Sequence, residues 1–268
     1  ERLGRALGQP VIVDNRPGAS SMIGAQAVAS APDDGYTLLY GVAPAISLNP
    51  HLFKKLPYKA ADFAPVIHLL DVPFVLVVRS ESPWRTVREL LDAARAQPAK
   101  LSYCSYGEGS PNHIAVLQLL QQSQAQMTHV PYKDGGLTDV LGGRVDAALE
   151  VTAMAMPHIQ AGRLRPLAVS ARERVARLPD VPTLTELGLG AALYSWNGLF
   201  APAATPAPVL ARLSTAMQAI AASDEYRRKV LDFTQVPRGG TVQDFAAFLA
   251  EDDAAWGRVI ASSGLRLD

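Results

Sequence analysis

The residues best placed to do chemistry sit in one short run, Tyr106-Gly107-Glu108-Gly109-Ser110-Pro111-Asn112-His113. Before it, Leu101-Ser102-Tyr103-Cys104-Ser105 reads as a short buried strand. After it, Ile114, Leu117, Leu119 and Leu120 give a helix one apolar face. Ser110 suits an N-cap and Pro111 the first helical position, where a missing N–H costs nothing. A glycine turn opening a helix leaves several backbone N–H groups converging on one spot, and the helix dipole makes that spot positive. Such a spot holds a small anion. The same residues also suit an ordinary strand-to-helix connection.

Other chemistries fit less well. Gly107, Gly109 and Asn112 nearly spell a dinucleotide fingerprint, but asparagine replaces the last glycine and the turn is not in the first strand–helix unit. No nicotinamide or other cofactor is expected. Ser110 lacks the flanking glycines of a nucleophile elbow, since Glu108 and Asn112 stand there, which argues against a Ser110/His113/Asp139 hydrolase. His51, His68, His113, His129 and His158 show no metal-ligand spacing with one another or with Cys104, so no metal is expected. Arg16 offers a fork to a carboxylate but sits in a turn. What remains is a set of Gly-, Ser-, Ala- and Pro-rich loops without an activated nucleophile or acid–base pair. Backbone amides hold anions and perform no chemistry alone, so the pattern favours a binder over an enzyme.

The 25 basic and 25 acidic side chains balance, so no global charge draws the chain to nucleic acid or to an anionic membrane. With 49% apolar and 19% charged residues in 268, the chain suits a globular protein of one large domain or two ordinary ones. A single cysteine excludes an intrachain disulfide. No apolar run approaches the roughly 18 residues of a membrane span, and no signal peptide is visible.

The elements that must position the site alternate. Val11-Ile12-Val13 reads as a strand, Asn15-Arg16-Pro17-Gly18 as a turn, residues 20–31 as a helix and residues 36–40 as a strand. Two apolar runs, 63–70 and 74–79, flank Pro73. Helices are expected over 87–96, 137–141 and 154–161, and strands over 128–130, 145–151 and 164–171. Helices at 209–222, 225–231 and 242–262 follow a strand at 199–201. In the last, Glu251, Asp252 and Asp253 read as the solvated face of an amphipathic helix. The alternation predicts an α/β protein with two lobes, residues 1–78 plus 196–268 and residues 79–195, each a mixed, mainly parallel sheet flanked by helices. Tyr40, Tyr106, Tyr132 and Trp196 fall at strand ends, where aromatics wall a cleft or fill a core.

Several motifs together resemble a known family. They include Val13-Asp14-Asn15-Arg16-Pro17-Gly18-Ala19, Ala31-Pro32-Asp33-Asp34-Gly35-Tyr36-Thr37-Leu38-Leu39 and Leu48-Asn49-Pro50-His51-Leu52-Phe53. Asp62-Phe63-Ala64-Pro65-Val66, Gly107-Glu108-Gly109-Ser110-Pro111-Asn112-His113 and His129-Val130-Pro131-Tyr132-Lys133 follow. The series closes with Leu141-Gly142-Gly143-Arg144-Val145-Asp146, Leu178-Pro179-Asp180-Val181-Pro182-Thr183 and Trp196-Asn197-Gly198-Leu199-Phe200-Ala201-Pro202. In this order they resemble the Bug proteins, extracytoplasmic substrate-binding receptors of tripartite tricarboxylate transporters.

The resemblance implies a monomeric, two-lobed periplasmic binding protein of type II-like fold. It would close on a small organic anion and deliver it to the membrane components of a transporter or to a sensor. Its ligand would be a di- or tricarboxylate, an amino acid or an aromatic acid, held largely by backbone amides and water. The implied contacts are Val42, Ala43 and Pro44; Tyr106, Gly107, Gly109, Ser110 and His113; Tyr132, Asp134 and Gly135; and Glu150 and Ala153. Asp134 intrudes where relatives carry small residues, and with Glu150 it would repel a second carboxylate or receive an ammonium group. Relatives also carry a first strand and a ligand loop before the helix at residues 1–8. Their absence here suggests an incomplete chain rather than a natural variant; were the chain truly this short, weak or absent ligand binding would be expected. An enzyme acting on a small anionic metabolite, and a scaffold keeping the fold without the ligand, are the alternatives.

Overall fold

The computed structural model describes residues 1–267; Asp268, the end of the first expected lobe, lies outside the described residues. The chain divides into two compact units: residues 1–71, 196–258 and 266–268, and residues 72–195 and 259–265.

Unit 1 begins with α1 (Arg2–Leu7), α2 (Met22–Ala29), β1 (Leu39–Val42), α3 (Asn49–Leu52) and β2 (Phe63–Val72). Unit 2 follows with β3 (Phe74–Arg79), α4 (Val87–Ala96), β4 (Ser102–Ser105), α5 (Pro111–Ser123), β5 (Thr128–Pro131), α6 (Leu137–Leu141), β6 (Ala147–Val151), α7 (Thr152–Gln160) and β7 (Leu164–Ser170). The chain then re-enters unit 1 with β8 (Ser195–Pro202), α8 (Ala207–Ala221), α9 (Asp224–Asp232), β9 (Val236–Pro237) and α10 (Val242–Ser263), whose residues from 259 onward count with unit 2.

The sheet of unit 1 has the order β1-β8-β2-β9, and that of unit 2 the order β5-β4-β6-β3-β7. Both are α/β, but the expected predominance of parallel strands is not met. In unit 1, β1 pairs with β8 and β2 with β9, each antiparallel. In unit 2, β4 runs parallel to β5 and β6, whereas β3 runs antiparallel to β6 and β7. Those pairings also move the boundary from residue 78 to residue 71, because β3 is wholly a strand of unit 2. Its residues Phe74 to Val78 are all buried, which is why they read as one continuous apolar run.

Local signals account for most elements. Thr86 caps α4, its Oγ1 accepting the Glu89 N–H at 3.2 Å, and Val87, Leu90, Leu91 and Ala94 form the buried stripe. The core of unit 2 gathers Val75, Val77, Cys104, Val140, Ala148 and Val169 around β3, β4 and β6. The core of unit 1 is aromatic, with Trp196 fully buried between Phe200 and Phe245 at centroid distances of 6.1 and 5.7 Å.

Two local expectations fail. Val11, Ile12 and Val13 form no strand and are 43%, 86% and 79% exposed, since no described neighbour completes a ladder for them. Asp252 is not solvated: its Oδ2 accepts the Trp196 indole N–H at 2.6 Å and its Oδ1 that of Trp256 at 3.0 Å. Two buried indoles need acceptors, and that need overrides the polarity of the face on which Asp252 falls. Asp253, one residue on, lies 2.9 Å from Nε2 of His51.

Candidate functional site

Three loops meet at one end of the unit 2 sheet. β5, β4 and β6 are mutually parallel, so the segments leaving their carboxyl ends are neighbours. This is where open α/β sheets bind ligands. The loop after β4 carries Tyr106, Gly107, Gly109 and Ser110. The loop after β5 carries Tyr132, Asp134 and Gly135, while Glu150 and Ala153 lie where β6 passes into α7. Most of the site residues expected from sequence therefore come together.

Tyr106 and Glu150 join two of these loops. The Tyr106 hydroxyl donates to Glu150 Oε1 at 2.7 Å, and the Val151 N–H donates to the same oxygen at 2.7 Å. Glu150 is 1% exposed, whereas Tyr106 is 38% exposed. Burial, with the nearby Asp134 charge, holds the Glu150 carboxyl above the usual range, although both hydrogen bonds oppose that shift. The third loop closes over this pair through glycines. A Cβ on Gly135 would stand 2.6 Å from the Tyr106 ring and 3.0 Å from Glu150 Oε2, and one on Gly136 would strike the Tyr132 ring at 2.4 Å. Both glycines have positive φ, 85° and 75°, so conformation and close approach demand the same residue type.

The glycine turn after β4 is held differently from the expectation. The Gly107 N–H donates to Ser105 Oγ at 3.1 Å, the Gly109 N–H to His113 Nδ1 at 3.1 Å, and the Ser110 N–H to Gly107 O at 3.2 Å. The Ser110 hydroxyl donates to Gly107 O at 2.6 Å. Three amides expected to stand open to an anion are thus committed within the loop, because a tight turn beside a buried histidine satisfies its own donors.

His113 is 4% exposed and supports this loop from beneath. Since Nδ1 accepts a hydrogen bond, the ring is neutral with its proton on Nε2. Burial, then the neighbouring His129, lowers its pKa to about 4. His113 stacks on His129 at 4.0 Å, and His129 stacks on Tyr103 at 5.0 Å. His129 Nε2 lies 2.7 Å from Ser105 Oγ, the atom that holds Gly107. Ser105 and His129 were not legible as site residues, because their partnership depends on the parallel register that sets Tyr103 opposite His129.

Groups that could have formed a hydrolytic relay are engaged elsewhere. Asp139 accepts the Tyr132 hydroxyl at 2.5 Å and pairs with Arg144, while His113 Nδ1 is taken by Gly109. Burial pushes the Cys104 thiol up to about 12, far from a reactive thiolate. Arg16 pairs with Asp14 at 2.8 Å on the surface.

The remaining expected contacts belong to unit 1. Val42 ends β1 and is half-buried, Ala43 is fully buried, and Pro44 opens a one-turn π-type segment over Pro44–Leu48.

A family model described as the tripartite tricarboxylate transporter family receptor, TctC, matches residues 1–265. The chain belongs to the TctC receptor family. The resemblance read from its motifs therefore holds. Among curated relatives, the UPF0065 protein in the gbd 5' region of Cupriavidus necator is 35% identical over 263 residues, covering 97% of this chain and 80% of that protein. Among solved structures, R. palustris Rpa4515 with adipate superposes with a TM-score of 0.89 at 33% identity, over 99% of this chain and 90% of that one. The periplasmic binding protein BugD gives a TM-score of 0.84 at 28% identity, over 99% and 90%. A TctC receptor is a solute-binding protein, and its chemistry is recognition.

Proposed function

We propose that this chain is a periplasmic receptor that captures a small organic carboxylate at the loop cluster of unit 2 and passes it to the membrane components of a tripartite transporter. The observation that carries the reading is the convergence of the β4, β5 and β6 loops at one sheet end, in a chain matched by the TctC family over residues 1–265. A neighbour at 33% identity was solved with adipate, a dicarboxylate. The proposed contacts in unit 2 are the Tyr106–Ser110 loop, Asp134, Gly135, Glu150 and Ala153. His113 supports the loop from below. With Gly107, Gly109 and Ser110 amides already engaged, recognition falls to hydroxyls, the outer amides of the loop and bridging water.

A thermal-shift screen of di- and tricarboxylates, amino acids and aromatic acids tests the proposal. A bound ligand at 100 times its Kd raises stability by about 2.7 kcal/mol. Saturable stabilisation by a carboxylate, recovered chemically unchanged by mass spectrometry, supports the receptor reading. Turnover of the ligand, or no stabilisation across the panel, contradicts it.

A further inference from the structure

Glu150 carries an unmatched demand. It is 1% exposed, yet both hydrogen bonds it receives, from Tyr106 Oη and the Val151 amide, go to Oε1. Among the described residues, no hydrogen bond or ion pair reaches Oε2. That oxygen faces the backbone of Gly135, where no side chain intervenes. The neighbouring charge that acts on Glu150 is Asp134, which has the same sign. Oε2 is not among the fully buried polar atoms that lack a partner, so the oxygen left without a protein donor is one that a donor from outside can reach.

We propose that Glu150 Oε2 receives the ammonium group of the ligand, so that the solute captured here is an amino acid or a similar small zwitterionic acid rather than a plain dicarboxylate. This rests on the reading that the unit 2 loop cluster is the ligand site. Tyr106 and Val151 fix the orientation of the carboxylate, and exposed Asp134 adds negative potential that favours a cation over a second acid. Gly135 places no side chain of its own against Oε2, where a Cβ would stand 3.0 Å from that oxygen, although the Tyr106 ring flanks the same spot. The ligand's own carboxylate goes to the loop after β4.

The test is calorimetric titration of the whole chain with matched pairs: aspartate against succinate, glutamate against glutarate, and phenylalanine against 3-phenylpropionate. A charge-assisted hydrogen bond predicts that the amino member of a pair binds at least about tenfold more tightly. In E150Q, checked for native circular dichroism, that ratio falls to near one. Equal binding of the two members, preference for the des-amino acid, or an unchanged ratio in E150Q overturns the proposal. If E150Q does not fold, the wild-type ratio decides, and D134N is expected to reduce it about threefold. Binding of des-amino acids alone defeats this inference and leaves the receptor reading intact, whereas silence to every acid defeats both.

Discussion

Nδ1 of His113 accepts the Gly109 N–H at 3.1 Å, tying the first turn of α5 to the glycine loop that precedes it. Both groups are buried, so neither has water as a substitute partner. Replacing His113 with Leu leaves the Gly109 amide unsatisfied and is expected to cost about 1–3 kcal/mol. Urea denaturation measures that cost. Carboxylate affinity, followed by calorimetry, is expected to fall in the same variant as the loop loosens.

The same histidine predicts a pH dependence. Its folded pKa, about 4, lies below its ordinary value, so between that value and 4 the unfolded chain binds more protons than the folded one. Stability is therefore complete near pH 7 and is lost as the pH falls. The loss at pH 5 is on the order of 2 kcal/mol from this group. His129 is shifted in the same direction, again chiefly by burial. Glu150, held high, acts in the opposite sense, so the comparison to make is between wild type and His113→Leu. Denaturation at pH 7 and pH 5 is expected to give a smaller difference in the variant.

Gly135 and Gly107 both have positive φ, 85° and 107°, but only Gly135 has a neighbour in the way. An alanine Cβ at 135 meets the Tyr106 ring at 2.6 Å, whereas one at 107 meets nothing within 4 Å. Gly107→Ala is expected to cost about 1 kcal/mol of backbone strain. Gly135→Ala adds an overpacking cost of about 1–3 kcal/mol and displaces the Tyr106–Glu150 pair. Melting temperatures and ligand affinities of the two variants, measured side by side, check this difference.

Asp252→Ala removes the acceptor shared by two indole N–H groups in the core of unit 1. The expected loss is about 3 kcal/mol, the upper part of the range for unsatisfied buried donors. Asp252→Asn keeps one acceptor oxygen and is expected to recover part of it. Thermal unfolding followed by tryptophan fluorescence reports both changes.

The alternation of strand and helix, the apolar run of β3 and the span of α4 were legible because each is set by a local pattern. The grouping of Tyr106, Asp134, Gly135 and Glu150 was legible through motif resemblance and strand-end position. Hydrogen-bond ownership was not. Whether the Gly109 amide faces a ligand or His113 depends on a side chain four residues away, whose ring position is set by stacking on His129. Asp252 shows the same limit. Three acidic residues in a row have the look of a solvated face, yet the middle one serves Trp196, distant in sequence. The antiparallel setting of β3 was hidden as well, because a fully buried strand shows no periodicity that distinguishes its direction.

Whether the loop cluster of unit 2 holds the ligand is read from amide chemical shifts of ¹⁵N-labelled protein titrated with small carboxylic and amino acids. Saturable shifts are expected, concentrated in residues 105–113, 134–136 and 150–153. Saturable binding that leaves all three segments unmoved, or no binding by any acid of the panel, would contradict that placement.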